Sequence, residues 1–165
     1  MLRHLIRGVV LAAALTSICA ATAFAAPGGA GTETFTEHGH GNEFFSTPVT
    51  DPCNGAPGIF ATVSTNEVFH ATTQADGDFW VTGTAEGNAT FTPEEAGGVS
   101  ASGHFSAWFG EADNKKNQVE HNTFNAHLTG TDGSHISVHG NAHASTNGHG
   151  EVTVSFEKMR VTCTG

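Results

Sequence analysis

From Phe79 to Phe91 the chain alternates, with Phe79, Val81, Gly83, Ala85, Ala89 and Phe91 at odd positions and mostly polar residues between them. A period of two sends successive side chains to opposite faces of a strand. The odd face continues through Phe105, Ala107 and Phe109. Past "EADNKKNQ" it becomes even, through Phe124, Ala126, Leu128, Ile136, Val138, Ala142, Val152, Val154 and Phe156. Apolar residues at helical spacing are nearly absent, and "ATFTPEEAGG" has room for one helical turn at a strand end.

Three short stretches share a turn signature: "ADG" at 75–77, "TDG" at 131–133 and "TNG" at 146–148. In a three-residue hairpin loop the last residue adopts the left-handed conformation, which glycine takes without steric cost. Such a loop preserves strand parity, and parity is kept across each of the three and changes only at the longer loop. Strands are predicted near 33–38, 42–47, 58–74, 78–92, 101–111, 118–130, 134–145 and 149–162. "STNE" at 64–67 offers a rival hairpin inside 58–74, but Glu67 stands where the other turns carry glycine.

Eight strands joined by tight sequential turns predict an all-β fold, an antiparallel up-and-down β-barrel with the phenylalanines, valines and alanines inside. A sandwich would use shorter strands and crossover connections. Large Phe alternating with small Gly and Ala fits two interiors: one packed solid, or one holding a small apolar ligand.

The first residues change what counts as the domain. Arg3, His4 and Arg7 precede an apolar run from Gly8 to Ala21, and Ala23-Phe24-Ala25 then supplies a small-x-small cleavage site. Residues 1–25 are expected to be a secretory signal cleaved near Ala25, with 26–32 ("APGGAGT") a flexible leader and 33–165 the single barrel domain. A lipoprotein signal on Cys19 is the rival, and bulky Ile18 fits it poorly. Export leaves Lys115, Lys116, Lys158 and Arg160 against sixteen acidic residues, a formal charge of −12. Nucleic acid and anionic membrane need a basic face, so neither is an expected partner.

Two cysteines follow the leader, Cys53 and Cys163. In an exported chain a lone pair is expected to form one disulfide. It would be worth on the order of 4 kcal/mol by constraining the unfolded chain. Up-and-down order brings both to one end only if an even number of strands lies between them, which favours a single bent strand at 58–74. A metal pair is a poor reading, because no C-x-x-C spacing is present.

Several stretches carry a resemblance: "DPCNG", "FHATTQADGDFWVTGTAEG", "SGHFSAWFG", "HLTGTDGSHISVHGNAHAS" and "GEVTVSFEKMRVTC". They resemble a group of small secreted bacterial proteins, mostly from actinobacteria, over most of the exported chain. The shared motifs are turns, a cysteine pair and strand alternation, so the resemblance implies fold and export and brings no catalytic residue. The expected architecture is similar to allene-oxide-cyclase-type, dirigent-type and lipocalin barrels, an analogy of fold that does not carry function.

The chain has no G-x-S-x-G, H-E-x-x-H, P-loop or dinucleotide fingerprint. His38, His40 and Glu43 in "HGHGNE" resemble half of a cupin motif, but the glycine spacing is off and an N-terminal turn is the better reading. Trp80 and Trp108 fall on the polar face, where they would stack on a sugar ring or cover a barrel end or subunit contact. Glu67 is the one charged residue noted on the apolar face among the strands. Buried, it would serve as an acid or base; at a bend, it faces water.

"GSHISVHGNAHASTNGHG" at 133–150 is the densest run of histidine. Four residues of strand span ~13 Å, too far for His135, His139 and His143 to close on one ion. With Gly133 and Gly148 left-handed, His143 would face His121 on one neighbouring strand and Glu151 on the other. His121, His143 and Glu151 are therefore the candidate weak Zn²⁺ or Cu²⁺ site, weighed against a solvated polar strand face. The expected function is a secreted, non-catalytic binding or structural module for a small apolar ligand or a cell-envelope partner, with no cofactor required. An isomerase- or cyclase-like barrel enzyme and a weak metal-binding protein are the alternatives.

Overall fold

The structure, a computed structural model, describes residues 33–39, 41, 43–114 and 116–165. The expected secretory signal and leader, 1–32, and His40 lie outside them. Eight strands follow in chain order: β1 (Glu33–Gly39), β2 (Glu43–Thr50), β3 (Pro57–Thr73), β4 (Phe79–Pro93), β5 (Ala101–Asp113), β6 (Asn117–Gly130), β7 (His135–Asn147) and β8 (Val152–Thr164). Every expected strand is present, and "STNE" is interior to β3 rather than a turn.

Strands β3 to β8 form a sequential antiparallel ladder. The first two strands depart from the meander. Both pair antiparallel with β3, β1 along 67–73 and β2 along 57–63, so they lie end to end as one interrupted edge. The sheet is seven positions wide, and among the described residues no ladder joins β8 to β1 or β2. The hydrogen-bonded path is open, where a closed barrel was expected.

The sheet nonetheless coils onto itself. Phe60 of β3 meets Phe124 of β6 edge-on at 6.2 Å between ring centroids, although two strands separate them in the ladder. Strand spacing of ~4.8 Å would hold those rings far apart on a flat sheet. Phe124 also stacks on Phe105 at 5.9 Å. Around these rings Ala85, Ala89, Phe91, Phe105, Ala126, Leu128 and Ile136 are buried, with Val49, Cys53 and Val138 packed against them. The Cys53–Cys163 disulfide, Cα–Cα 5.3 Å, ties the loop after β2 to the end of β8. Six strands, β3 to β8, lead from one cysteine to the other, the even number that the disulfide requires.

Three tight turns close as three-residue loops with a left-handed glycine last: Gly77 (φ 89°), Gly133 (φ 87°) and Gly150 (φ 78°). The first two are where the sequence places them. The third is at 148–150, two residues beyond "TNG", with the Asn147 amide donating to Glu151 O. A register shift between Ser145 and Thr146 then adds one residue of offset. The displaced turn keeps parity, and the bulge turns β8 over relative to expectation. Cys163, Val161 and Met159 oppose the inward residues Ile136, Val138 and Gly140, whereas Val154 and Phe156 share the outer face with Ser145 and His143.

A second shift lies in β3, where Ser64 opposes Gly87 and Asn66 opposes Glu86, leaving Thr65 as the extra residue. The bulge flips the alternation. Thr62 and Ser64 are fully buried before it and Glu67 is buried after it, while Val63 is exposed.

Candidate functional site

On the outer face four rings form a row across four strands. Trp108 of β5 meets His121 of β6 at 5.5 Å, His121 meets His143 of β7 at 5.7 Å, and His143 stacks on Phe156 of β8 at 5.6 Å. The β6–β7 register places His121 opposite His143, as the turn at Gly133 requires. The indole of Trp108 leans over Gly110, whose missing side chain leaves it room. Beside this row a shallow groove is lined by Asn66, Thr84, Glu86, Ser106, Thr123 and Asn125.

The structure brings His121 and His143 together and leaves Glu151 out. His143 opposes Phe156, and Glu151 closes the hairpin, accepting a 2.8 Å hydrogen bond from Asn147 Nδ2. The expected register failed because it placed the left-handed glycine at Gly148 and had no bulge. A cation at the two imidazoles would find aromatic carbon to either side. Among the described residues no three His, Cys, Asp or Glu side chains gather as a metal-binding group. His135 and His139 are exposed and bond Thr129 and Asn125 across the strands, the behaviour of a solvated strand face. His38 is exposed in β1, opposite Val68.

The inner face holds three acids, of which sequence reasoning singled out Glu67 and missed Glu111 and Glu120. Glu67, expected at a water-facing bend as one of two readings, is only 6% exposed and opposes Ala85. Glu111 and Glu120 stand directly opposite each other on β5 and β6, and Gln118 Nε2 donates to Glu111 Oε1 at 2.9 Å. Burial, and then the nearby charge of Glu111, raises the Glu120 carboxyl above its ordinary value. The signal was in the parity. Two steps from Phe109 reach Glu111, two double steps back from Phe124 reach Glu120, and the β5–β6 loop pairs Asp113 with Gln118. Glu67 sits two inner positions away along the strands, ~13 Å, so the three do not form one acid-base centre.

The largest departure from a buried-in, polar-out pattern is β8. Val152, Val154, Phe156, Met159 and Val161 are between 41% and 65% exposed, and they divide between its two faces. Comparison with family models, curated proteins and solved structures finds no match to this chain.

Proposed function

We propose that the chain is a secreted, non-catalytic binding module for a cell-envelope partner, built on a sheet coiled into an incomplete barrel. The observation that carries this reading is where apolar surface is spent. In the interior, rings lie on glycines: a methyl group at Gly83 would overlap Phe109, and one at Gly58 would overlap Phe91. Interior space at these levels is filled by the protein's own rings, which favours a packed core over a small-ligand lumen. Apolar side chains left in water are concentrated on β8, on both faces of an edge strand, and an exposed edge strand with apolar side chains is a surface for pairing with another chain. A disulfide suits an oxidising compartment. Among the described residues no helix is long and apolar enough to cross a membrane.

The test has two readouts on the exported protein. Native mass spectrometry is expected to give the disulfide-bonded polypeptide alone, and the protein is expected to co-sediment with washed envelopes of the secreting cells. A co-purified apolar molecule would replace this reading with a carrier. Absence from the envelope pellet would remove the partner.

A second reading, an isomerase- or cyclase-like enzyme, draws on the burial of Glu67 on the inner face. A carboxyl in that setting suits proton transfer. It predicts that Glu67→Gln leaves envelope binding intact while abolishing turnover of an added substrate.

A further inference from the structure

β8 differs from every other strand in the ladder. Its whole length from Val152 to Thr162 is exposed, and among the described residues it pairs on one side only. Exposed edges are usually blunted by proline, glycine bulges or inward-pointing charge. From Glu151 to Thr164 β8 carries no proline and no glycine, and Val152, Thr153, Val154, Phe156, Val161, Thr162 and Thr164 are strong strand formers. Its inward positions nearest the core are Met159 and Val161, which are 44% and 41% exposed. The blunting features it does carry are a bulge near its start, on the β7 side of the strand, the inward-pointing Glu157 opposite Ala142, and Lys158 on the outer face; the stretch from Met159 to Thr162 has no inward charge.

The topology says what is missing. Five antiparallel steps lead from β3 to β8, so β8 runs opposite to β3. β1 and β2 also run opposite to β3. The two edges of the sheet are therefore parallel to each other, and their ends are joined by the Cys53–Cys163 disulfide. An up-and-down barrel with an odd number of positions cannot close through antiparallel pairing alone. One further strand, antiparallel to both edges, would make the number even and give every pair in the ring the same antiparallel ladder.

We infer that the free edge of β8 accepts an extended segment of a partner protein, added antiparallel as the eighth position of the sheet. This deepens the binding-module reading and rests on it. The chemistry of the occupant follows from the faces of β8. Its inward side chains are apolar, to cover Met159 and Val161. Its outward side chains are acidic, because Lys158 and Arg160 stand on the outer face beside Asn141 and His139. These two cations are conspicuous on a chain of sixteen acidic and six basic residues. The chain's own 26–32 segment is a poor candidate, because Pro27, Gly28, Gly29 and Gly31 disfavour a strand. A second copy pairing β8 to β8 brings its whole sheet along, and the strand it adds is already paired with its own β7, so it cannot also pair with β1 and β2 to complete the ring.

The experiment uses the exported, disulfide-bonded protein and a labelled peptide of about nine residues, capped at both ends, with valine at alternate positions and glutamate between. Fluorescence anisotropy is expected to show saturable binding that weakens at least about tenfold in the double variant Met159→Lys/Val161→Lys. Both side chains are exposed and neither belongs to the buried core, so a melting curve close to that of the parent is expected to accompany the loss. In Lys158→Glu/Arg160→Glu the same peptide is expected to bind more weakly, with a smaller salt dependence. Two peptides N-methylated at opposite sets of alternate amides report on the ladder, and at least one of them is expected to lose binding. Binding retained by both isomers, or undiminished in Met159→Lys/Val161→Lys, overturns strand addition. So does a dimer in sedimentation velocity that the same double variant abolishes, since the occupant is then a second copy. The envelope assay separates the two claims. Envelope binding that survives Met159→Lys/Val161→Lys overturns the inference and leaves the module reading standing, whereas peptide binding without envelope binding does the reverse.

Discussion

The hairpins β6–β7 and β7–β8 are built on the same turn and end differently. Each closes through a three-residue loop with a left-handed glycine, Gly133 in one and Gly150 in the other. In β6–β7 the register runs unbroken from the turn, and Ala126, Leu128 and Ile136 are buried on the inner face. In β7–β8 one bulge next to the turn reverses which residues face inward, and no residue of β8 is fully buried. A turn fixes parity only as far as the first bulge. Past it, the strand's own side chains must find new neighbours, and in β8 they are left facing water.

Equal truncations in the two regions should therefore have unequal cost. Phe105 is 3% exposed and stacks on Phe124, whereas Phe156 is 41% exposed and stacks on His143. Phe105→Ala is expected to lose about 3–5 kcal/mol, the range for a buried aromatic, and Phe156→Ala no more than about 1 kcal/mol. Denaturant melts of the two variants check this. A loss at Phe156 matching that at Phe105 would mean that β8 is packed as firmly as the body of the sheet.

The disulfide comes next, because it anchors the strand that burial does not. Opening Cys53–Cys163 is expected to cost about 2–5 kcal/mol and lower the melting temperature by several degrees. Faster amide exchange should concentrate in β8 and spare β6 and β7. Two alkylatable thiols in the native protein would remove the premise.

Much of this was legible in the sequence, and the remainder failed for a common reason. Period-two alternation marks strands wherever one face is buried, so β4 and β5 read cleanly along their length. The glycines at 77 and 133 announce their own turns, and the count of strands between the cysteines selects a single β3. A bulge changes parity with one ordinary residue, Thr65 in β3, and has no composition of its own. That is why Glu67 could be placed either inward or toward water, and why Val154 and Phe156 were expected inside. The stretch "TNGHG" is ambiguous in its own way: Gly148 and Gly150 both suit the left-handed position, placing it at Gly148 pairs Glu151 with His143, and only the closing bonds at Asn147 decide. The sharing of β3 by β1 and β2 was invisible for a different reason, since alternation reports faces and not neighbours.

If the turns are equivalent and the bulge makes the difference, the two glycines should cost the same. No atom lies within 4 Å of a side chain added at Gly133 or Gly150, so alanine at either meets only backbone strain. Gly133→Ala and Gly150→Ala are each expected to lose about 1–2 kcal/mol. A much larger loss at Gly150, read from thermal melts, would place the register of β8 in its turn instead.

The smallest effect lies within the better-packed hairpin, at the open end of its inner face. Glu120 opposes Ala144 on β7 and Glu111 on β5, so β6 carries a like-charge pair where its other inward residues are apolar or amide. Burial, and then the charge of Glu111, raises the Glu120 carboxyl above 4.5. The folded chain thus holds that proton more tightly than the unfolded one. Its contribution to stability is present below the ordinary carboxylate value and is lost as pH rises through the raised one. Glu120→Gln removes both the titration and the opposed charge. It is expected to stabilise the protein at pH 7 by about 0.2–1 kcal/mol, the scale of a directly opposed cross-strand pair. At a pH below the ordinary carboxylate value the gain should vanish. Thermal melts of the parent and Glu120→Gln across that range provide the measurement. A variant that is less stable at pH 7, or equally stabilised at both ends of the range, would show that Glu120 is held by favourable bonds and that this end of the hairpin carries no charge conflict.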